Sequence, residues 1–100
     1  MTAAELTAVC ARHGIILEHD EDGHHAHLAV ASGPRLLTEF CESAADAVCA
    51  LLKDRWEMVT WMFGSFYWQA KSLRNGMMKL GHKSELAVVV ALADRLAVTP

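Results

Sequence analysis

The chain has 100 residues, 53% of them apolar and 21% charged, enough for one domain and one core and slightly richer in apolar residues than the usual range of about 45–50%. That surplus raises the expectation of a homodimer or a permanent protein partner. A net charge of −3, with Lys and Arg scattered singly, lacks the basic cluster that phosphate binding needs and disfavours nucleic acid as a partner.

In chain order, Thr2 to Arg12 predicts a helix. Thr2 and Glu5 have the spacing of a capping box, Leu6, Val9 and Cys10 form its apolar stripe, and Gly14 is its natural stop. Ile15 to Ala31 predicts a hairpin turning at Asp22-Gly23. That turn pairs His19 with Ala26, Leu17 with Leu28 and Ile15 with Val30 on an apolar face. Asp20–His25 and Glu18–His27 pair on the other. Ser32-Gly33-Pro34 marks a second turn, and Arg35 to Cys41 a third strand whose mixed faces suit a sheet edge.

Ser43 has the position of an N-cap, with Asp46 favourable in the following turn. Ala45, Val48, Cys49, Leu52, Trp56, Val59 and Phe63 then recur at helical spacing. Six of the seven aromatic residues fall between Trp56 and Trp68, each able to bury about 150–250 Å². Two readings of this stretch compete. Gly64-Ser65 either breaks the helix, so that its second half folds back, or only kinks a helix running from Ser43 to about Asn75 or Leu80. An interior glycine costs only about 1 kcal/mol against alanine, so the expectation leans to the long, kinked helix. Asn75-Gly76 or Gly81-His82 ends it. Ser84 caps a last helix, Glu85 to Ala97, which is apolar on nearly every side and so is expected to be buried.

The expected fold is therefore α+β: an N-terminal helix, a three-stranded antiparallel meander, a long helix and a C-terminal helix packed on one face, in a single domain spanning residues 1–100. Over residues 3 to 54 the α-β-β-β-α order resembles the layout of double-stranded-RNA-binding domains. Those domains recognise RNA with a basic helix start and a loop histidine. The corresponding Ser43-Ala44-Ala45-Asp46 is uncharged to acidic, so RNA binding is not carried over.

Cys10, Cys41 and Cys49 cannot pair completely, none belongs to a C-x-x-C, and each lies in an apolar pattern, which fits small buried hydrophobes in a reducing compartment. The MTAAEL start lacks the basic residues and apolar run of a signal peptide, and no apolar stretch reaches the roughly 20 residues of a membrane helix. The expected location is cytoplasmic, with no membrane contact.

Two sites stand out. On one face of the hairpin, His25 and His27 lie across from Asp20 and Glu18, an array that could hold zinc in an open site. The competing reading is a hydrated hairpin with cross-strand acid–histidine pairs. The second site is the aromatic–methionine stretch, which serves core, ligand pocket or protein interface; Met58, Trp61, Met62, Phe66 and Trp68 are the interface candidates. Cys10 and His13 are the one pair placed to act as nucleophile and base, and no other catalytic or cofactor motif accompanies them. The expectation is a non-enzymatic protein-interaction module, a steric inhibitor or antiactivator with a protein target. Phage anti-CRISPR proteins and antiactivators of transcription factors are its class analogues. The alternative is a metal- or small-ligand-binding module built on the histidines or an aromatic pocket.

Overall fold

The computed structural model of the chain describes residues 1–29, 41–65 and 67–98, with the backbone alone at 79 and 80. It divides into two compact units, Met1–Leu51 and Leu52–Pro100. The fold class is α+β, as expected.

In the first unit, α1 (Ala3–His13) begins at the anticipated capping box. The Glu5 amide donates to the Thr2 hydroxyl at 3.1 Å and the Thr2 amide to Glu5 Oε1 at 3.3 Å. Val9, Cys10 and His13 form its buried side. Gly14 ends it at φ 62°, its amide donating to the Cys10 carbonyl. The Gly14 carbonyl in turn accepts from the Ala29 amide at 2.7 Å, so one residue closes the helix and opens the sheet.

The hairpin joins β1 (Ile15–Asp20) to β2 (Gly23–Leu28), two residues out of the expected register. Ile15 pairs with Leu28, Leu17 with Ala26, Glu18 with His25 and His19 with His24, so the turn is Glu21-Asp22. A primed turn at Asp22-Gly23 would put Asp22 at positive φ, and Asp22 does not take one. Gly23 takes φ 129° instead, and the Asp22 amide bonds Asp20 Oδ1 at 2.9 Å. A slip of two, unlike a slip of one, leaves every side chain on its expected face. The expected third strand lies outside the described residues except for Cys41, whose amide and carbonyl both bond His24, at 2.6 and 2.8 Å.

Helix α2 (Ala44–Arg55) starts where Ser43 caps it, the Asp46 amide donating to Ser43 Oγ at 3.1 Å. It does not run on. Glu57 adopts φ 52°, and the chain leaves it as strands β3 (Met58–Phe63), β4 (Tyr67–Ser72) and β5 (Met78–His82). The expected long helix is thus replaced by a three-stranded antiparallel meander in the order β3-β4-β5. Gly64-Ser65 begins the first connection, and Asn75-Gly76 lies in the second, where the Gly76 amide bonds the Ser72 carbonyl at 2.8 Å. Both were read as helix punctuation and are strand punctuation.

Helix α3 (Glu85–Val98) packs on this sheet against β5, β4 and β3. Ser84 caps it as expected, accepting the Ala87 amide at 3.1 Å. Val88, Val89, Leu92, Ala93 and Leu96 are buried along α3, with Met58, Ala70 and Ser72 buried on the sheet. Behind them, Ser72 Oγ donates to the Trp56 carbonyl at 2.7 Å. The Arg55 and Arg74 guanidinium groups lie over the Trp56 ring at 5.1 and 5.7 Å, within cation–π range. Among the described residues no helix is long and apolar enough to cross a membrane.

Candidate functional site

Alternation along a strand sends successive side chains to opposite faces of the sheet. The β3–β4 register pairs Met58 with Ser72, Thr60 with Ala70 and Met62 with Trp68. This is the face toward α3, because Thr60 Oγ donates to Glu85 Oε2 in the first turn of α3 at 2.6 Å. The opposite face carries Val59 beside Lys71, Trp61 beside Gln69 and Phe63 beside Tyr67. Met78 joins it from β5 through its pairing with Lys71.

The open face is apolar and accessible. Phe63 is 66% exposed, Tyr67 48%, Met78 44% and Val59 40%, with Trp61 half-buried among them. Exposed apolar side chains are ordinary when scattered. These stand on neighbouring positions of adjacent strands and form one patch, broken by Gln69 and Lys71. At the β3–β4 connection, Met62, Ser65, Tyr67 and Lys83 line an open depression.

The five interface candidates therefore separate. Trp61 lies on the open face. Met58 belongs to the core, only 6% exposed, because a strand in place of a helix turns it toward α3. Met62 and Trp68 sit across from each other on the α3 side, so they share no face with Trp61. Phe66 lies outside the described residues. Val59, Phe63, Tyr67 and Met78 complete the patch; none was an interface candidate from sequence, and Val59 and Phe63 were assigned to the apolar stripe of a helix. The alternation Val59-Trp61-Phe63 against Met58-Thr60-Met62 was the signal that could have found them.

The second site is on the hairpin. The Glu18 carboxylate spans two imidazoles, with Oε2 3.1 Å from His25 Nε2 and Oε1 3.1 Å from His27 Nε2. The register sets His25 directly opposite Glu18 and His27 on the diagonal, within reach of a long side chain. The hydrogen bond from His27 holds the Glu18 carboxyl below the usual glutamate range, and the neighbouring His25 and His27 charges add to the effect. On the other face the His19 and His24 rings stack with centroids 3.8 Å apart.

Of the four metal candidates, Glu18, His25 and His27 come together, while Asp20 stands at the turn with its carboxylate on the Asp22 amide. Both Nε2 atoms face the carboxylate. Among the described residues no group of three or more His, Cys, Asp and Glu side chains is arranged to hold a metal ion. The arrangement is one carboxylate held between two imidazole rings.

Cys10 is buried and burial pushes its thiol pKa up, opposite to the shift that activates a nucleophile. Lys71 lies on the open face, while Arg74 is held by Glu57 at 3.3 Å and by the Arg55 carbonyl at 2.9 Å.

No protein-family model, curated protein or solved structure matches the chain.

Proposed function

We propose that this chain is a small cytoplasmic protein-interaction module, of the inhibitor or antiactivator kind, that binds a protein target sterically through the open face of the β3–β4–β5 sheet. The observation that carries the proposal is the patch of Val59, Trp61, Phe63, Tyr67 and Met78. Trp, Tyr, Phe and Met are the residues enriched at the centres of protein interfaces, and a contiguous exposed apolar patch marks an interaction surface more often than chance. The polar groups here are few: the Trp61 indole N–H, the Tyr67 hydroxyl, the Gln69 amide and the Lys71 ammonium. The complementary target surface is apolar at its centre with a carboxylate placed to meet Lys71. A partner seated there masks its own contact surface, which is the mechanism of the class.

The test is a tagged capture from the source cell with the wild-type chain and with Trp61→Ser/Phe63→Ser, eluates identified by mass spectrometry. The proposal expects a stoichiometric protein held by the wild type and released by the double variant, with both chains giving the same circular dichroism. Equal capture by both overturns it.

A further inference from the structure

The backbone of β3 carries a second kind of surface. The Leu73 amide donates to the Glu57 carbonyl at 2.9 Å, one step beyond the Met58–Ser72 pair of the β3–β4 register. Hydrogen-bonded and non-bonded pairs alternate along an antiparallel ladder. Val59, Trp61 and Phe63 therefore direct their amides and carbonyls to β4, and Met58, Thr60 and Met62 direct theirs to the outer edge. Among the described residues no other strand pairs with that edge.

Soluble proteins guard such edges with charges, proline, bulges or very short strands. The β3 sequence, MVTWMF, has no charge and no proline, and its register is regular throughout. The other edge of the same sheet is different: β5 is only five residues long, and its pairing slips between Trp68 and Ala70. One edge is blunted and, among the described residues, the other is left open.

We propose that the open edge is closed by a second copy of the chain, β3 lying antiparallel to the partner's β3 about a two-fold axis at Thr60. In that register Thr60 faces the partner's Thr60, Met58 faces the partner's Met62, and Val59 faces the partner's Trp61. Each of the three outward residues exchanges both backbone bonds with its opposite. No charge meets a like charge, the penalty that usually works against a strand pairing with itself. The register also keeps faces together, so both copies of α3 lie on one side and both open faces merge on the other. Aromatic–β-branched pairs of the Val59–Trp61 type are among the better cross-strand contacts. Two-fold closure consumes the open edge, and the blunted β5 edge stops further growth. The pairing is distinct from target binding: its backbone bonds run along the edge, and of the open face it draws on the Val59–Trp61 contact alone, leaving Phe63, Tyr67 and Met78 to a target.

The experiment is light scattering of the full chain over a concentration series, with two variants. The wild type is expected at the mass of two chains. Met62→Pro removes an outward amide and no β4 bond, so its mass falls to half with unchanged circular dichroism. Thr60→Cys places two thiols across the axis at a spacing a disulfide spans, so mild oxidation yields a covalent dimer that the wild type does not form. Phe63→Ser, which disrupts the face, leaves the mass at two chains. A wild type of one-chain mass at every concentration overturns the proposal, as does a Met62→Pro chain that is folded and still dimeric. If Met62→Pro unfolds, absence of the Thr60→Cys cross-link overturns it.

Discussion

Thr60 and Glu85 join the edge strand to the first turn of the last helix, hydroxyl to carboxylate at 2.6 Å. The same carboxylate oxygen lies 3.3 Å from Lys53 Nζ, so one acidic group at the start of α3 gathers β3 and the end of α2. An acid in the first turn of a helix is already favoured by the helix dipole. The chain uses that acid to fix which face of the sheet α3 covers. A hydrogen bond to a charged group contributes about 1.5–3 kcal/mol, and partial exposure points to the lower end. Thr60→Val keeps the shape and the strand preference while removing the donor. It is expected to cost about 1–2 kcal/mol in a urea titration with unchanged slope, and a neutral result would reduce the bond to an incidental contact.

Met58 and Phe63 stand at opposite ends of one strand and on opposite faces of the sheet, and their substitutions should separate cleanly. Met58→Ala opens a cavity against α3 and is expected to cost about 2–5 kcal/mol. Phe63→Ala removes an exposed ring and should move stability by no more than about 0.5 kcal/mol. Thermal melts of the two variants side by side check this. Similar losses would mean that Phe63 is covered in the folded chain, and the open face would no longer be available to a target.

The contrast also shows what was legible in the sequence. The caps were read correctly because they are local: Thr2 with Glu5, Ser43 with Asp46 and Ser84 with Ala87 each close a bond within a single turn. The hairpin's faces were read correctly because alternation survives a slip of two, although its register did not follow the Asp-Gly signal. The aromatic stretch misled for a different reason. Between Met58 and Phe63 only Thr60 is polar, so a period of 3.6 and a period of 2 fit the same residues equally well. With no discrimination from pattern, the decision rested on a stop signal, and the residue that ends α2 in the left-handed conformation is Glu57, not glycine. The interface residues inherited that error, which is why Met58 and Trp61 were placed together when the strand separates them.

The Glu18 bridge predicts a pH dependence. Its carboxyl is held below the ordinary glutamate value by the hydrogen bond from His27 and by the charges of His25 and His27. A carboxyl depressed in the folded state stabilises the fold above its unfolded pKa, and that contribution is lost as pH falls through the folded value. The window therefore lies in the acid range, below the normal glutamate midpoint. His27→Leu removes the largest cause and should raise the Glu18 midpoint, read from its side-chain carboxyl carbon by NMR, toward that of a free glutamate. An unchanged midpoint would mean that the bridge is not made in solution.

Thiol reactivity supplies another check. Cys10 and Cys49 are buried, Cys41 is half-buried and none of the three is joined in a disulfide. Burial also pushes the Cys10 thiol away from its reactive thiolate form. A thiol reagent at neutral pH should find Cys41 first, while Cys10 and Cys49 react only as fast as the chain opens. Denaturant should release all three at once. Immediate full reaction of the folded chain would contradict the burial of α1 and α2.

Glu57 offers the sharpest test of how the aromatic stretch becomes a sheet. In the interior of a helix alanine is favoured over glycine by about 1 kcal/mol, and the expected long helix would put position 57 in such an interior. At φ 52° the order inverts, because a Cβ in the left-handed region costs about 1–2 kcal/mol. Glu57→Gly and Glu57→Ala both lose the exposed contact with Arg74, itself worth no more than about 1 kcal/mol, so that loss cancels between them. The glycine variant is then expected to be the more stable of the two by about 1 kcal/mol, despite its greater freedom in the unfolded chain. Chemical denaturation of the pair decides the sign. If alanine is the more stable, α2 continues through Glu57, β3 does not begin at Met58, and the face and the edge proposed for binding both disappear.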